Sequence, residues 1–158
     1  MKRVYRILRK PYADKPLNGE GAFRFGGRWS SPGVRIAYTS EYVSLAMIEY
    51  FVHVSVDDPP RDLVLITAEI PDGTSRRIVK IPDLPPDWRR TPSPPELSAI
   101  GDKFALEAKE AILIVPSAIV PLEANWLINP QHESFRNISV SAVEAFDYDA
   151  RFFIRQDH

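Results

Sequence analysis

Residues 18–33 read NGEGAFRFGGRWSSPG, and the way this stretch is framed by its neighbours sets the fold class. Five of the chain's seven glycines, Gly19, Gly21, Gly26, Gly27 and Gly33, fall within it. It therefore needs backbone geometry that L side chains seldom adopt, and it reads as a loop. Upstream, residues 4–8 alternate apolar and polar side chains as a short strand does, and Pro11 and Pro16 separate that strand from the loop. Downstream, residues 35–39 form a second strand candidate. Ser40 then offers a side-chain oxygen to cap a helix expected from Glu41 to about His53. On that helix Leu45, Ile48 and Val52 make an apolar stripe, with Glu49 at its edge facing the core side. The string GEGAFR opens like a dinucleotide fingerprint, but Arg24 stands where the third glycine belongs and a loop precedes it, which excludes a Rossmann unit.

Further along, residues 63–70 and 77–81 read as strands joined through Pro71, Asp72 and Gly73 in a hairpin. Six of the fifteen prolines lie from Pro82 to Pro95, which forbids regular structure there and implies an ordered surface loop anchored by Trp88. Leu97, Ile100 and Phe104 stand at helical spacing within residues 96–109. Residues 111–115 are short and apolar enough for a buried strand that Pro116 ends. Residues 125–130 read as a loop, and 140–148 and 152–154 as strand-like. The expected fold is α+β: a single domain over residues 1–158, with a mixed, mostly antiparallel sheet and two main helices.

Composition narrows the function classes. The chain has 158 residues, 44% hydrophobic and 26% charged, which suits one soluble globular core. With no cysteine, disulfides, thiolate metal sites and cysteine nucleophiles are excluded. There is no Walker A or G-x-S-x-G string, and His53, His132 and His158 lack metal-ligand spacing. Charges at Lys2, Arg3, Arg6, Arg9 and Lys10 break up any secretory apolar run. The longest uncharged run, residues 111–122, falls short of the roughly 20 residues that span a bilayer. A cytoplasmic location without membrane contact is the expectation. The net charge of −1 and the scattered Trp29, Trp88 and Trp126 give no footprint for nucleic acid. Residues 1–35, however, hold nine Lys/Arg against Asp14 and Glu20. That segment either faces an anionic ligand or pairs with the acidic remainder.

Four segments are over-specified for packing alone: GEGAFRFGGRWSSPG at 19–33, IAYTS at 36–40, SLAMIEYFVH at 44–53 and VPSAIVPLEANWLINPQH at 115–132. In this order the chain resembles the RES-domain toxins of bacterial toxin–antitoxin pairs, over about residues 17–135. The family's arginine, glutamate and serine fall on Arg28, Glu49 and Ser117, its tyrosine on Tyr38, and the NWLINP stretch supplies Asn125 and Asn129. Ser30 departs from the family, whose GGRW is usually followed by asparagine. The resemblance implies a fold similar to ADP-ribosyltransferase toxins. It further implies cleavage of the nicotinamide–ribose bond of NAD+, with NAD+ as substrate, no separate cofactor, and water or inorganic phosphate as acceptor. Its partner would be an Xre-type DNA-binding antitoxin, alone or in a larger oligomer with it. Catalysis would rest on Glu49, Arg28 and Ser117, and NAD+ binding on Arg28, Tyr38, Gly27, Trp29, Ser117 and Asn125.

The residue types suit that chemistry. Nicotinamide leaves as a neutral amine, so no general acid is required. The ribose turns oxocarbenium-like, and a partly desolvated carboxylate such as Glu49 stabilises it. Arg28 and glycine-loop N–H groups suit a pyrophosphate, Tyr38 could stack on the nicotinamide ring, and Ser117 could bond a ribose hydroxyl or the carboxamide. Taken singly, each residue also has a plain structural use. Arg28 would pair with a carboxylate, Glu49 would edge a solvated face, Tyr38 would fill core and Ser117 would start a turn. Asn125, Asn129, Arg24 and His132 read as loop supports. Mono-ADP-ribosylation of a protein, or a non-catalytic module docking an acidic partner, are the alternatives.

Overall fold

The computed structural model describes residues 1–154, so His158 and the last part of the domain expected over 1–158 lie outside the described residues. The chain runs β1 (Lys2–Arg9), α1 (Glu20–Phe25), β2 (Ala37–Ser40), α2 (Val43–Phe51), β3 (Leu63–Ile70) and β4 (Arg76–Ile78), then α3 (Pro95–Glu107), β5 (Ile112–Pro116), β6 (Ala124–Ile128) and β7 (Ser139–Phe146). The strands form one seven-stranded sheet in the order β4-β5-β6-β2-β1-β3-β7. Only β4 and β5 are parallel. The α+β class, the mixed and mostly antiparallel sheet and the two main helices are as expected. Among the described residues no helix is long and apolar enough to cross a membrane.

The sheet has a weak seam. β1 and β3 pair over eight positions, from Lys2 opposite Ile70 to Arg9 opposite Leu63, and β5 and β6 over five. β1 and β2 meet through the single pair Tyr5 and Ser40. Two well-laddered halves, β4-β5-β6-β2 and β1-β3-β7, therefore join at one point.

One core packs Trp29, Trp88, Leu97, Phe104, Leu113 and Leu127 between α3, the glycine loop and the β2 half. Trp88 is buried, so the proline-rich segment is indeed pinned by its indole. A second core gathers Val4, Ala37, Ile70, Ile112 and Ile128 on the opposite face. Burying a side chain of this size contributes roughly 1.5–3 kcal/mol.

Several local expectations give way to tertiary pairing. The turn at 71–73 forms, with Thr74 N–H donating to Pro71 O at 3.0 Å, yet no hairpin follows. Both edges of β3 are already paired, with β1 and β7, so β4 crosses to the far side and pairs with β5. Residues 125–128, expected in a loop, form central strand β6 because β2 and β5 flank them on both sides. A short helix, α1, interrupts the glycine loop. Its ends are left-handed glycines, Gly19 (φ 72°) and Gly26 (φ 70°), and Asn18 Oδ1 accepts the Glu20 N–H at 3.0 Å. Helix α2 starts at Val43 and has no side-chain cap, while Ile48 and Val52 of the expected stripe are exposed. Residues 152–154 are not a strand, since Ala150–Phe153 forms a 3-10 turn.

Candidate functional site

Glu49 sits on α2, one helical turn beyond Leu45, which is fully buried. That places its carboxylate against the seam. Its Oε1 accepts from Ser117 Oγ at 2.6 Å and from Asn125 Nδ2 at 2.8 Å. Neither bond uses Oε2, so one carboxylate oxygen is fixed and the other stays available.

Both donors are themselves held. Ser117 follows β5, is fully buried, and its Oγ accepts the N–H groups of Ile119 (3.1 Å) and Val120 (3.0 Å). With those N–H groups occupying its lone pairs, the hydroxyl is oriented to donate to Glu49. Asn125 opens β6, and its Oδ1 accepts from Ser40 Oγ at 2.8 Å. A relay Ser40, Asn125, Glu49 therefore runs from the paired strands β2 and β6 to helix α2. Ser40, read from sequence as a helix cap, serves this relay instead. Ser117 meets the carboxylate directly, so its hydroxyl acts on Glu49 and not on open cleft.

The glycine loop forms the other wall. Gly27 and Ser30 make an isolated β-bridge, which turns the chain sharply around Arg28 and Trp29. Tyr38 stabilises this turn. Its Oη lies 2.7 Å from Ser30 Oγ and accepts the Trp29 N–H at 3.3 Å, and a Cβ on Gly27 would stand 2.7 Å from it. Burial pushes the Tyr38 phenol up to about 12, so it stays neutral. Ser30 thus supplies the loop hydrogen bond at the position where the family usually has asparagine. Trp29 is 2% exposed and its indole belongs to the core, where it anchors the loop.

Arg28 reaches across to the proline-rich segment, donating to Trp88 O (3.1 Å), Arg90 O (2.9 Å) and Thr91 Oγ1 (3.2 Å). Partial burial lowers its pKa, and the Glu49 carboxylate opposes that fall. The two charges therefore act on one another across the same space. α3 braces this wall. Asp102 accepts from Ser31 N–H at 2.8 Å and Ser31 Oγ at 2.6 Å. Gly101 packs so tightly that a Cβ there would meet the Trp29 carbonyl at 1.6 Å. The remaining loop supports hold as read. Arg24 binds Glu20 at 2.8 Å, Asn129 is buried and donates to Ala105 O, and His132 Nδ1 accepts the Ser134 N–H.

Sequence reasoning passed over Arg6. On β1 it alternates with Val4 and Leu8, both buried, so it shares their face. Its Nη1 is shut off from solvent and has no hydrogen-bond partner among the described residues. Burial lowers its pKa, with Tyr38 opposing, and a Cβ added to Gly21 of α1 would stand 4.0 Å from Nη2. A guanidinium with a buried, unpartnered N–H group beside the glycine-flanked helix α1 has the chemistry to receive an anion. The period-two parity of 4, 6 and 8 was the signal that could have revealed it.

The family model of the RES domain matches residues 3–150. The chain belongs to the RES domain family. Among its relatives, Toxin Res of Yersinia enterocolitica is 36% identical over 94% of this chain and 97% of its own length. Toxin Res of Pseudomonas putida is 36% identical over 90% and 94%. A Sphingobium protein named Prs ADP-ribosylating toxin is 35% identical over 90% and 89%. In fold, the RES domain is similar to a chain of the Mycobacterium tuberculosis MbcT-MbcA toxin-antitoxin complex, with a TM-score of 0.71, 18% identity and coverage of 90% and 82%. The RES arginine, tyrosine, glutamate and serine positions assigned from sequence are Arg28, Tyr38, Glu49 and Ser117; Ser117 bonds Glu49, and Tyr38 holds the loop that carries Arg28.

Proposed function

We propose that this RES-family protein is the toxin of a bacterial toxin–antitoxin pair and that it cleaves the nicotinamide–ribose bond of NAD+. The observation that carries the reading is the Glu49 carboxylate, oriented through one oxygen by Ser117 and Asn125 and within electrostatic reach of Arg28. The leaving nicotinamide is neutral, so the reaction asks the protein for charge stabilisation at the ribose. Glu49 Oε2 faces the developing oxocarbenium, and a partly buried carboxylate stabilises it more than the ground state. Arg6 and the loop around Gly27 bind the pyrophosphate, with Arg28 shaping that wall through the 88–91 carbonyls. Tyr38 holds the loop, and its ring flanks the nicotinamide. Water or inorganic phosphate captures the ribosyl cation, giving ADP-ribose or its 1-phosphate. The partner that silences the chain is an antitoxin of the Xre type covering the basic, glycine-rich wall.

Incubation with NAD+, with and without phosphate, followed by chromatography of nicotinamide, tests the reading directly. Release under either condition supports it, and silence under both overturns it. A second reading, transfer of ADP-ribose onto a protein, is favoured by the name of the Sphingobium relative. Mass shifts of ADP-ribose on a target, without free ADP-ribose, would select that version.

A further inference from the structure

Helix α2 carries Glu49 but has little to fix its own position. It is nine residues long, its N-cap Tyr42 makes no side-chain cap bond, and only Leu45 and Ala46 are buried. A helix so short is marginal without tertiary restraint. Besides packing of Ala46, Met47 and Tyr50 against Ile7 and Leu63, restraint comes from the C-terminal segment that follows β7. Tyr148 Oη donates to Met47 O at 2.6 Å. The Phe51 ring is gripped by Tyr148 (centroids 5.6 Å), Phe152 (5.1 Å) and Phe153 (5.9 Å), and Phe146 stands edge-on to Tyr148 at 5.1 Å. Such tilted and edge-on ring pairs are favourable beyond the area they bury.

Helical geometry makes the placement meaningful. Met47 and Phe51 are four apart and share a face, whereas Glu49, two residues from each, projects about 200° away. The aromatic cluster therefore holds one flank of α2 while Ser117 and Asn125 hold the carboxylate on the other.

We infer that Tyr148 is a positioning residue: through Met47 O it sets the height and rotation of α2, and so keeps Glu49 in reach of Ser117 and Asn125. This rests on the proposed NAD+ cleavage for its kinetic readout, but the clamp is a property of the helix and has a readout of its own. Burial keeps the Tyr148 phenol protonated, up to about 12, so it remains a donor throughout the neutral range.

Tyr148→Phe keeps the ring and removes only the donor. At a temperature where circular dichroism shows the variant fully folded, kcat for nicotinamide release is expected to fall about tenfold with KM for NAD+ unchanged. In a Glu49→Gln background the same substitution should change the residual turnover less than twofold, because no carboxylate is left to misplace. A general loss of structure would lower both backgrounds alike. Independently of turnover, the 13Cδ resonance of Glu49 should shift and amide exchange over residues 47–51 should accelerate. Wild-type kcat in Tyr148→Phe overturns the inference, as does an unchanged Glu49 resonance. If the wild-type chain releases no nicotinamide, NAD+ cleavage fails, and the resonance and exchange measurements still decide the clamp.

Discussion

At residue scale the site divides labour between a charge that acts and groups that aim it. Glu49→Gln keeps the shape and the acceptor for Ser117 and Asn125 but removes the charge. Nicotinamide release should fall by about 10²–10³-fold, the range seen when one transition-state electrostatic partner is lost, while the melting temperature moves by no more than a few degrees. Arg6 illustrates the opposite relation between stability and function. Its Nη1 is buried without a hydrogen-bond partner among the described residues, so Arg6→Met should raise the melting temperature by a few degrees and raise KM for NAD+ at least about tenfold. A melting temperature that falls would remove Arg6 from the anion-binding role. Tyr38 gives a pH signature. Its folded pKa, up to about 12, lies above the ordinary tyrosine value, so the unfolded chain releases the proton first as pH rises. The stability it confers is complete below about pH 10 and declines between about 10 and 12, by roughly 1.4 kcal/mol per unit. Chemical denaturation across that range should show the decline in the wild type and a flatter curve in Tyr38→Phe.

At the scale of elements, the glycine loop is a structure braced from two sides. Its inner side is held by Tyr38 of β2, and its outer side by Gly101 and Asp102 of α3. Any methyl group at 101 must displace the Trp29 backbone, and overpacking of this kind costs about 1–3 kcal/mol or more. Gly101→Ala should therefore lower the melting temperature by roughly 5 °C or more. Asp102→Asn leaves the packing intact and weakens two hydrogen bonds to Ser31. It should raise KM for NAD+ severalfold with kcat near the wild-type value, and steady-state kinetics would show whether the loop binds or reacts. β6 shows why elements are harder to read than motifs. The stretch from Asn125 through Asn129 to Pro130 has loop-forming residues at both ends, and nothing local reveals that Trp126, Leu127 and Ile128 will be flanked by strands on both sides.

For the whole molecule, the near-neutral total conceals a positive N-terminal quarter. Part of that charge is neutralised internally, since Glu20 bonds both Arg24 and Arg35 at 2.8 Å and Arg9 meets Asp62 at 3.0 Å. Arg3 also meets Glu69 at 3.5 Å, while the Arg6 and Arg28 guanidiniums act on Tyr38 and Glu49. NAD+ is a net anion through its doubly charged pyrophosphate and should feel these cations at a distance, so raising NaCl from about 50 to 300 mM should increase KM for NAD+ severalfold and leave kcat unchanged. Salt-insensitive KM values would confine the attraction to direct contacts.

The amino-acid order by itself determined the class of fold, the glycine loop, the two main helices and the identity of Arg28, Tyr38, Glu49 and Ser117, because each is written in local spacing or in a motif. Periodicity even held Arg6, for a reader who followed its parity with Val4 and Leu8. Which strand lies beside which was decided only in three dimensions. The turn at 71–73 favours a hairpin locally, but long ladders to β1 and β7 outweigh a two-strand pairing. The relay of Ser40, Asn125 and Glu49, and the support of Ser117, join residues up to 85 positions apart. Such contacts exist only because β2, β5 and β6 lie side by side in the sheet with α2 packed over them, and no window of sequence contains all of these elements.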